Sequence, residues 1–318
     1  MSDESIFQAR RRFLRVAASA FLGGSILAPT DSLAQDNDLL ATLIDIDACD
    51  GCGLCVEACR KRSDLLVPIP EDIAKYRRRY KFVRDWSKGA RHDDRSRLTP
   101  YNWLTIQKIS LGSEKSAIYI PRRCMHCLTP TCAILCSTGA LTRGRMGAVY
   151  VQEQFCVGDG SCTMNCPWYI PSLQPGTSSL ISVTKDASRM FKCDYCVDLQ
   201  LKGEKPLCIQ ACPRGAMQIG PYPLMVKKAH ELADLKGTKD IFGLTENGGT
   251  LTFYVSSIPL RELEIGLLRA KAIRPGLPTL RVHEIPVEKQ RILSFVAATP
   301  VAALVLAGLR LWRDRHTR

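Results

Sequence analysis

Fifteen cysteines stand in this 318-residue chain, and every one belongs to one of four short groups. The first is Cys49, Cys52, Cys55 and Cys59, separated by two, two and three residues. The second is Cys124, Cys127, Cys132 and Cys136, separated by two, four and three. The third is Cys156, Cys162 and Cys166, followed by Pro167, with Asp159 standing where a cysteine would complete a two, two, three run. The fourth is Cys193, Cys196, Cys208 and Cys212, separated by two, eleven and three and followed by Pro213. A two, two, three run ending in Cys-Pro is the ligand spacing of bacterial cubane iron–sulfur clusters. Such a chain has to fold as short loops wrapped around metal centres.

Three thiolates close in sequence wrap one cluster, and the small residues Gly51, Gly53, Gly158 and Gly160 let backbone amides approach the sulfurs. The last cysteine of a run is expected to start a short helix and to serve the other cluster of a pair. Groups two and three are joined by 137–155, about the length of one ferredoxin hairpin, and should form an inner module. Groups one and four flank it and should form an outer one. The expected ligand sets are Cys49, Cys52, Cys55 with Cys212, and Cys193, Cys196, Cys208 with Cys59. In the inner module they are Cys124, Cys127, Cys132 with Cys166, and Cys156, Cys162 with Cys136, with or without Asp159. Three [4Fe-4S] clusters and one atypical centre follow: either a three-iron cluster beside a loop aspartate, or a four-iron cluster with Asp159 on a labile iron. A zinc site would use two Cys-x2-Cys pairs, which only the fourth group half resembles. The odd cysteine count argues against a disulfide scaffold.

The fold expected is α+β, two tandem ferredoxin-like modules. Apolar strands at 41–46, 117–120 and 148–151 lead into the first three groups as an internal repeat. Beyond the fourth group, 223–235 reads as a helix with Met225, Ala229, Leu232 and Ala233 on one face, and 250–256 as an alternating strand. From 261 to 285 a short helix gives way to an irregular tether.

The two ends predict the compartment. Arg10, Arg11 and Arg12 precede an apolar stretch, and Ser32, Leu33 and Ala34 offer a small-residue cleavage site. Residues 1–34 therefore resemble a twin-arginine signal, a route that exports proteins already folded around their clusters. The uncharged run 292–309, followed by Arg310, Arg313, Arg315 and Arg318, is long enough to span a membrane at about 27 Å, with a cytoplasmic tail. The expected organisation is signal 1–34, cluster domain 35–222, extension and tether 223–291 and anchor 292–312. It places the body on the periplasmic face of the membrane. The formal charge of +13 shrinks once four clusters remove roughly two charges each, so nucleic-acid binding has little support.

Between groups one and two, 60–123 is basic and aromatic. Lys75, Arg77, Arg78, Arg79, Lys81 and Arg84 lie among Tyr76, Tyr80, Phe82, Trp86 and Trp103. It is a solvated face over a small core, or a docking surface for a partner subunit or anionic lipid. His92 and His126 read as isolated, with His126 placed to hydrogen-bond near a sulfur.

The blocks Cys124-Met125-His126-Cys127, Cys193-Asp194-Tyr195-Cys196 and 208–216 resemble the four-cluster ferredoxin subunits of molybdopterin and nickel–iron respiratory enzymes. With a signal and a C-terminal anchor, the chain resembles iron–sulfur subunits of the hydrogenase-2 type. That resemblance implies a non-catalytic electron-transfer subunit between a hydrogenase small subunit and a quinone-reactive membrane subunit. The alternatives are service to a molybdopterin oxidoreductase, or a structural or assembly protein stapled by its clusters. Asp159 departs from the family's cysteine, and Arg60 and Ser137 stand where a proline often follows a group.

Overall fold

The computed structural model describes residues 38–69, 84–111, 117–177 and 188–269. The signal at 1–34, the basic run at 75–81, the tether beyond 269 and the anchor at 292–312 lie outside the described residues. Among the described residues no helix is long and apolar enough to cross a membrane.

The strands are β1 (Leu40–Asp45), β2 (Thr105–Ile109), β3 (Ile118–Arg122), β4 (Leu141–Arg143), β5 (Val149–Val151), β6 (Ser172–Gln174), β7 (Arg189–Phe191), β8 (Met217–Pro221), β9 (Ile241–Phe242) and β10 (Thr252–Val255). The helices are α1 (Leu54–Leu66), α2 (Thr131–Ile134), α3 (Ser161–Met164), α4 (Val197–Gln200), α5 (Leu207–Gln210), α6 (Tyr222–Leu235) and α7 (Leu260–Arg269). Strands precede the first three groups as the sequence predicts. A fourth, β7, precedes Cys193 and completes the repeat; its three residues are too short for a periodic signal.

β1 and β10 form the middle of a four-stranded sheet ordered β8-β1-β10-β9. β1 runs antiparallel to β8 and parallel to β10, with Thr42 opposite Thr252. β10 is buried along its whole length, so the expected two-sided alternation is absent: a central strand covered on both faces has no solvent side. α6 buries Met225, Ala229 and Ala233, and Met225 packs over Gly220 of β8. Leu232 stays at the edge of that face. α7 buries Leu263, Gly266 and Leu267, with Gly266 against Ile109 and Leu111. The sequence divides the chain at 222, whereas β8, β9, β10 and α6 share one sheet and its cover across that point. The remaining strands form the hairpins β2-β3, β4-β5 and β6-β7.

Two clusters of buried apolar side chains among the described residues take in cysteines. The larger joins Ile44, Trp86, Tyr101, Trp103, Ile120, Trp168 and Phe191 to Cys55, Cys59, Cys124, Cys127, Cys166, Cys193 and Cys208. Each large apolar side chain there contributes about 1.5–3 kcal/mol by leaving water. The smaller part holds Ala140, Leu141, Val149 and Met190 with Cys156 and Cys162. Trp86 and Trp103, named above in a docking surface, are core residues.

Candidate iron–sulfur centres

Each Cys-x2-Cys loop reverses tightly, and the residue before the second ligand position takes a left-handed conformation in all four groups. These residues are Gly51 (φ 75°), His126 (φ 48°), Gly158 (φ 67°) and Tyr195 (φ 68°). The N–H groups of Gly51 and Gly158 donate to the sulfurs of Cys49 and Cys156. A Cβ on Gly51 would fall 2.3 Å from the Tyr119 ring, and one on Gly158 would fall 2.0 Å from the Ser188 carbonyl. In the other two groups a side chain takes the strained position. The His126 and Tyr195 rings, both fully buried, stack on each other at 4.4 Å and 20°.

The three-residue gap closing every group is an i, i+4 spacing, which on a helix puts two side chains on one face. Cys55 and Cys59 both lie within α1, which opens after Gly53. Cys132, Cys162 and Cys208 lie within α2, α3 and α5. Cys136, Cys166 and Cys212 follow those helices by two residues. The last cysteine of a group therefore sits inside or just past a helix and starts none. A fourth position that opened a helix would aim back at its own loop, whereas here one turn of helix carries it to a neighbouring set.

The structure brings the cysteines together in four sets. Cys59, Cys193, Cys196 and Cys208 ring one cavity. Cys136, Cys156, Cys162 and Asp159 ring another. Cys49, Cys52, Cys55 and Cys212 lie within electrostatic reach of one another, as do Cys124, Cys127, Cys132 and Cys166. Cys55 also feels Cys208, and Cys193 feels Cys124. The sets are thus neighbours in a series, each module crossing one cysteine into the other half of its pair. Among the described residues no three such side chains close on a point as a single ion needs.

Burial raises the thiol pKa to about 12 at Cys55, Cys162 and Cys196 and to about 11 at Cys166 and Cys208. A cluster of buried thiolates then needs positive charge beside it. The junction between the modules supplies it. Lys192 is buried, with Nζ 3.5 Å from the Cys124 sulfur and 2.9 Å from the Cys193 carbonyl, and it also donates to the Val149 carbonyl. Burial alone would lower its pKa, but Cys124, Cys132 and Cys193 raise it. Arg123 donates to the Cys193 sulfur at 3.8 Å and lies 5.0 Å over the Tyr195 ring. Its Nε and second amino nitrogen have no partner. Two buried cations facing sulfur, one of them with orphaned donors on the Cys193 cavity, fit anionic clusters beside them. His126 Nδ1 accepts from the Val149 N–H at 3.0 Å; burial, then Lys192 and Arg123, hold that ring neutral.

Asp159 is exposed. Its Oδ2 accepts from the Ser137 hydroxyl at 2.6 Å, and its Oδ1 accepts from the Ser161 N–H and hydroxyl at 3.1 and 2.9 Å. Arg60 donates to the His92 carbonyl and to its Nδ1 at 2.5 and 2.8 Å, and His92 Nε2 faces Asp64 at 3.3 Å. His92 is therefore not isolated. Sequence reasoning missed Arg123, Lys192 and Tyr195. Tyr195 and His126 could have been found by aligning the four loops on their second ligand position. Lys192 could have been suspected as a charge next to Cys193.

Two family models, each described as a 4Fe-4S dicluster domain, match residues 48–140 and 115–222. The protein is 31% identical over 191 residues to the B subunit of the anaerobic dimethyl sulfoxide reductase of Escherichia coli (strain K12), spanning 60% of its own length and 77% of the relative. It is 29% identical over 240 residues to the formate dehydrogenase-O iron–sulfur subunit of the same organism, spanning 72% and 70%. To the formate dehydrogenase iron–sulfur subunit of Haemophilus influenzae it is 27% identical over 302 residues, spanning 91% and 83%. The protein belongs to the family of dicluster iron–sulfur subunits of respiratory oxidoreductases. The two matched segments follow sequence order, taking groups one and two and then two to four. In space the sets cross that order, group one with four and two with three.

Proposed function

We propose that the chain is an electron-transfer subunit that passes single electrons along four centres, between a molybdopterin-type catalytic subunit and a quinone-reactive membrane subunit. The observation that carries this is the gathering of all fifteen cysteines into four adjoining sets, three of four thiols and one of three thiols with Asp159. The sets would hold three [4Fe-4S] clusters and one atypical centre. When bound, each takes up and releases one electron at a time. The protein's part is to fix the sulfurs on loops and helix ends, exclude water around the central sets, and hold Lys192 and Arg123 where negative charge accumulates.

The relatives named above serve formate dehydrogenase and dimethyl sulfoxide reductase. They support the molybdopterin partner over the hydrogenase that the chain's two ends suggest. Export by a twin-arginine signal, a C-terminal anchor and contact with lipid remain part of the proposal on the sequence features of 1–34 and 292–312. The test is anaerobic isolation of the native complex with a redox titration followed by EPR. A molybdopterin subunit co-purifies, and its substrate reduces the centres at the rate of turnover. A colourless chain, zinc in place of iron, or a nickel–iron partner overturns the proposal.

A further inference from the structure

Two departures from the family's ligand pattern, Asp159 for cysteine and Ser137 for proline, are hydrogen-bonded to each other where Asp159 lines a cavity. We propose that Ser137 sets the metal content of that centre: it latches the Asp159 carboxylate, leaves three cysteines as the only ligands, and so keeps the centre at three irons. This rests on the cluster assignment proposed above.

The argument starts from the other loops. Asp50 Oδ1 accepts the Cys52 N–H at 3.1 Å, and Asp194 Oδ1 accepts the Cys196 N–H at 2.9 Å. There an aspartate caps the turn two residues ahead while a separate cysteine takes the second ligand position. In group three Val157 stands at that capping place, and Asp159, at the second ligand position, caps the next turn instead. Its Oδ1 accepts from the Ser161 N–H and hydroxyl, which commits one oxygen to the loop. Its Oδ2 is taken by Ser137, which follows the cavity-lining Cys136 in sequence. A hydrogen bond to a carboxylate is charge-assisted and short, and a hard oxygen is a poor match for a sulfide-bridged iron. The capped, latched carboxylate stays with its hydroxyls. Removing Ser137 frees Oδ2, the oxygen not used by the turn.

The full chain is isolated anaerobically as wild type, Ser137→Ala, Ser137→Pro, Asp159→Cys and the Ser137→Ala/Asp159→Ala double variant. Each is treated with dithionite, which supplies the one electron that must enter before ferrous iron adds, then with ferrous iron, and is freed of unbound iron and reoxidised with thionine before measurement, since the three-iron signal belongs to the oxidised cluster. Iron per chain and the three-iron EPR signal are measured. Wild type holds about fifteen irons and keeps its three-iron signal through the treatment. Ser137→Ala and Ser137→Pro lose that signal by roughly tenfold as iron rises to about sixteen. The double variant keeps the signal, because no oxygen is left to bind. Asp159→Cys lacks it from the start. A wild type with no three-iron signal, or serine variants that behave as wild type, overturns the latch alone. A chain with little iron in any form overturns the cluster assignment as well.

Discussion

The junction between the modules and the Asp159 centre use the same loop in opposite surroundings. At the junction, the sets of Cys193 and Cys124 lie within the larger core, and two buried cations and the His126–Tyr195 stack occupy the space between them. At the Asp159 centre, Cys156 and Cys162 rest on a core of a few aliphatic side chains, and the fourth ligand position is exposed and tied to two serines. The contrast separates two jobs for a cysteine. At the junction it completes a charge balance on which the core depends. At the edge it holds metal on a fold that stands without it.

Removing one thiol from each place gives the largest expected difference. Cys193→Ala leaves Arg123 and Lys192 facing an incomplete set inside the core. Breaking one side of a buried charge arrangement costs on the order of 3–5 kcal/mol, so the variant should be lost to insolubility or unfold well below wild type. Cys156→Ala lies outside that balance and should fold, missing one centre's iron. Thermal unfolding and iron content of the two variants check this. Equal losses of stability would erase the distinction between core and edge.

Much of the centre's layout is legible in the chain, because ligand spacing is local and geometrically demanding. The i, i+4 spacing of Cys55 and Cys59 sets the two sulfurs on one face of α1 but one turn, about 6 Å, apart along it, so each meets a different set. Gly51 and Gly158 announce left-handed turns. What escapes is long-range. The contact of Lys192 with Cys124 spans 68 residues, and the parallel pairing of β1 with β10 joins Thr42 to Thr252. No periodicity reports either. His126 and Tyr195 conceal a turn position that glycine would have shown, because stacking and burial hold side chains where backbone preference opposes them. The Ser137–Asp159 bond was hidden because each residue reads alone as a substitution, and only the fold makes them partners.

A smaller effect distinguishes two glycines within the edge loop. Both are left-handed, Gly158 at φ 67° and Gly160 at φ 78°, so alanine costs about 1–2 kcal/mol at either. At Gly160 the new Cβ would meet nothing closer than 3.5 Å, whereas at Gly158 it would strike the Ser188 carbonyl at 2.0 Å. Overpacking adds about 1–3 kcal/mol and displaces an N–H that donates to Cys156. Gly158→Ala should lose the edge centre's metal and Gly160→Ala should keep it, read by iron content and EPR. Retention of the centre in Gly158→Ala would mean the loop wraps its metal more loosely than this contact allows.

The smallest effect asked for is electrical, and it tests whether the junction cations act on the centres or only fill space. Lys192→Met keeps the length of the side chain and removes the charge. A unit charge about 6 Å from a centre, at an effective dielectric near 20, is worth about 3 kcal/mol, or on the order of 100 mV for one electron. Reduction adds negative charge, so losing the cation should make the centres on either side of the junction harder to reduce, lowering their potentials by up to that amount. Lys192→Arg should restore most of the shift. The Asp159 centre lies one set further along and should move little, because intervening metal and protein screen the change. An EPR-monitored titration of the three proteins reads all centres at once. If every potential moves together, or none does, Lys192 is packing rather than a local source of field, and the two regions differ in burial alone.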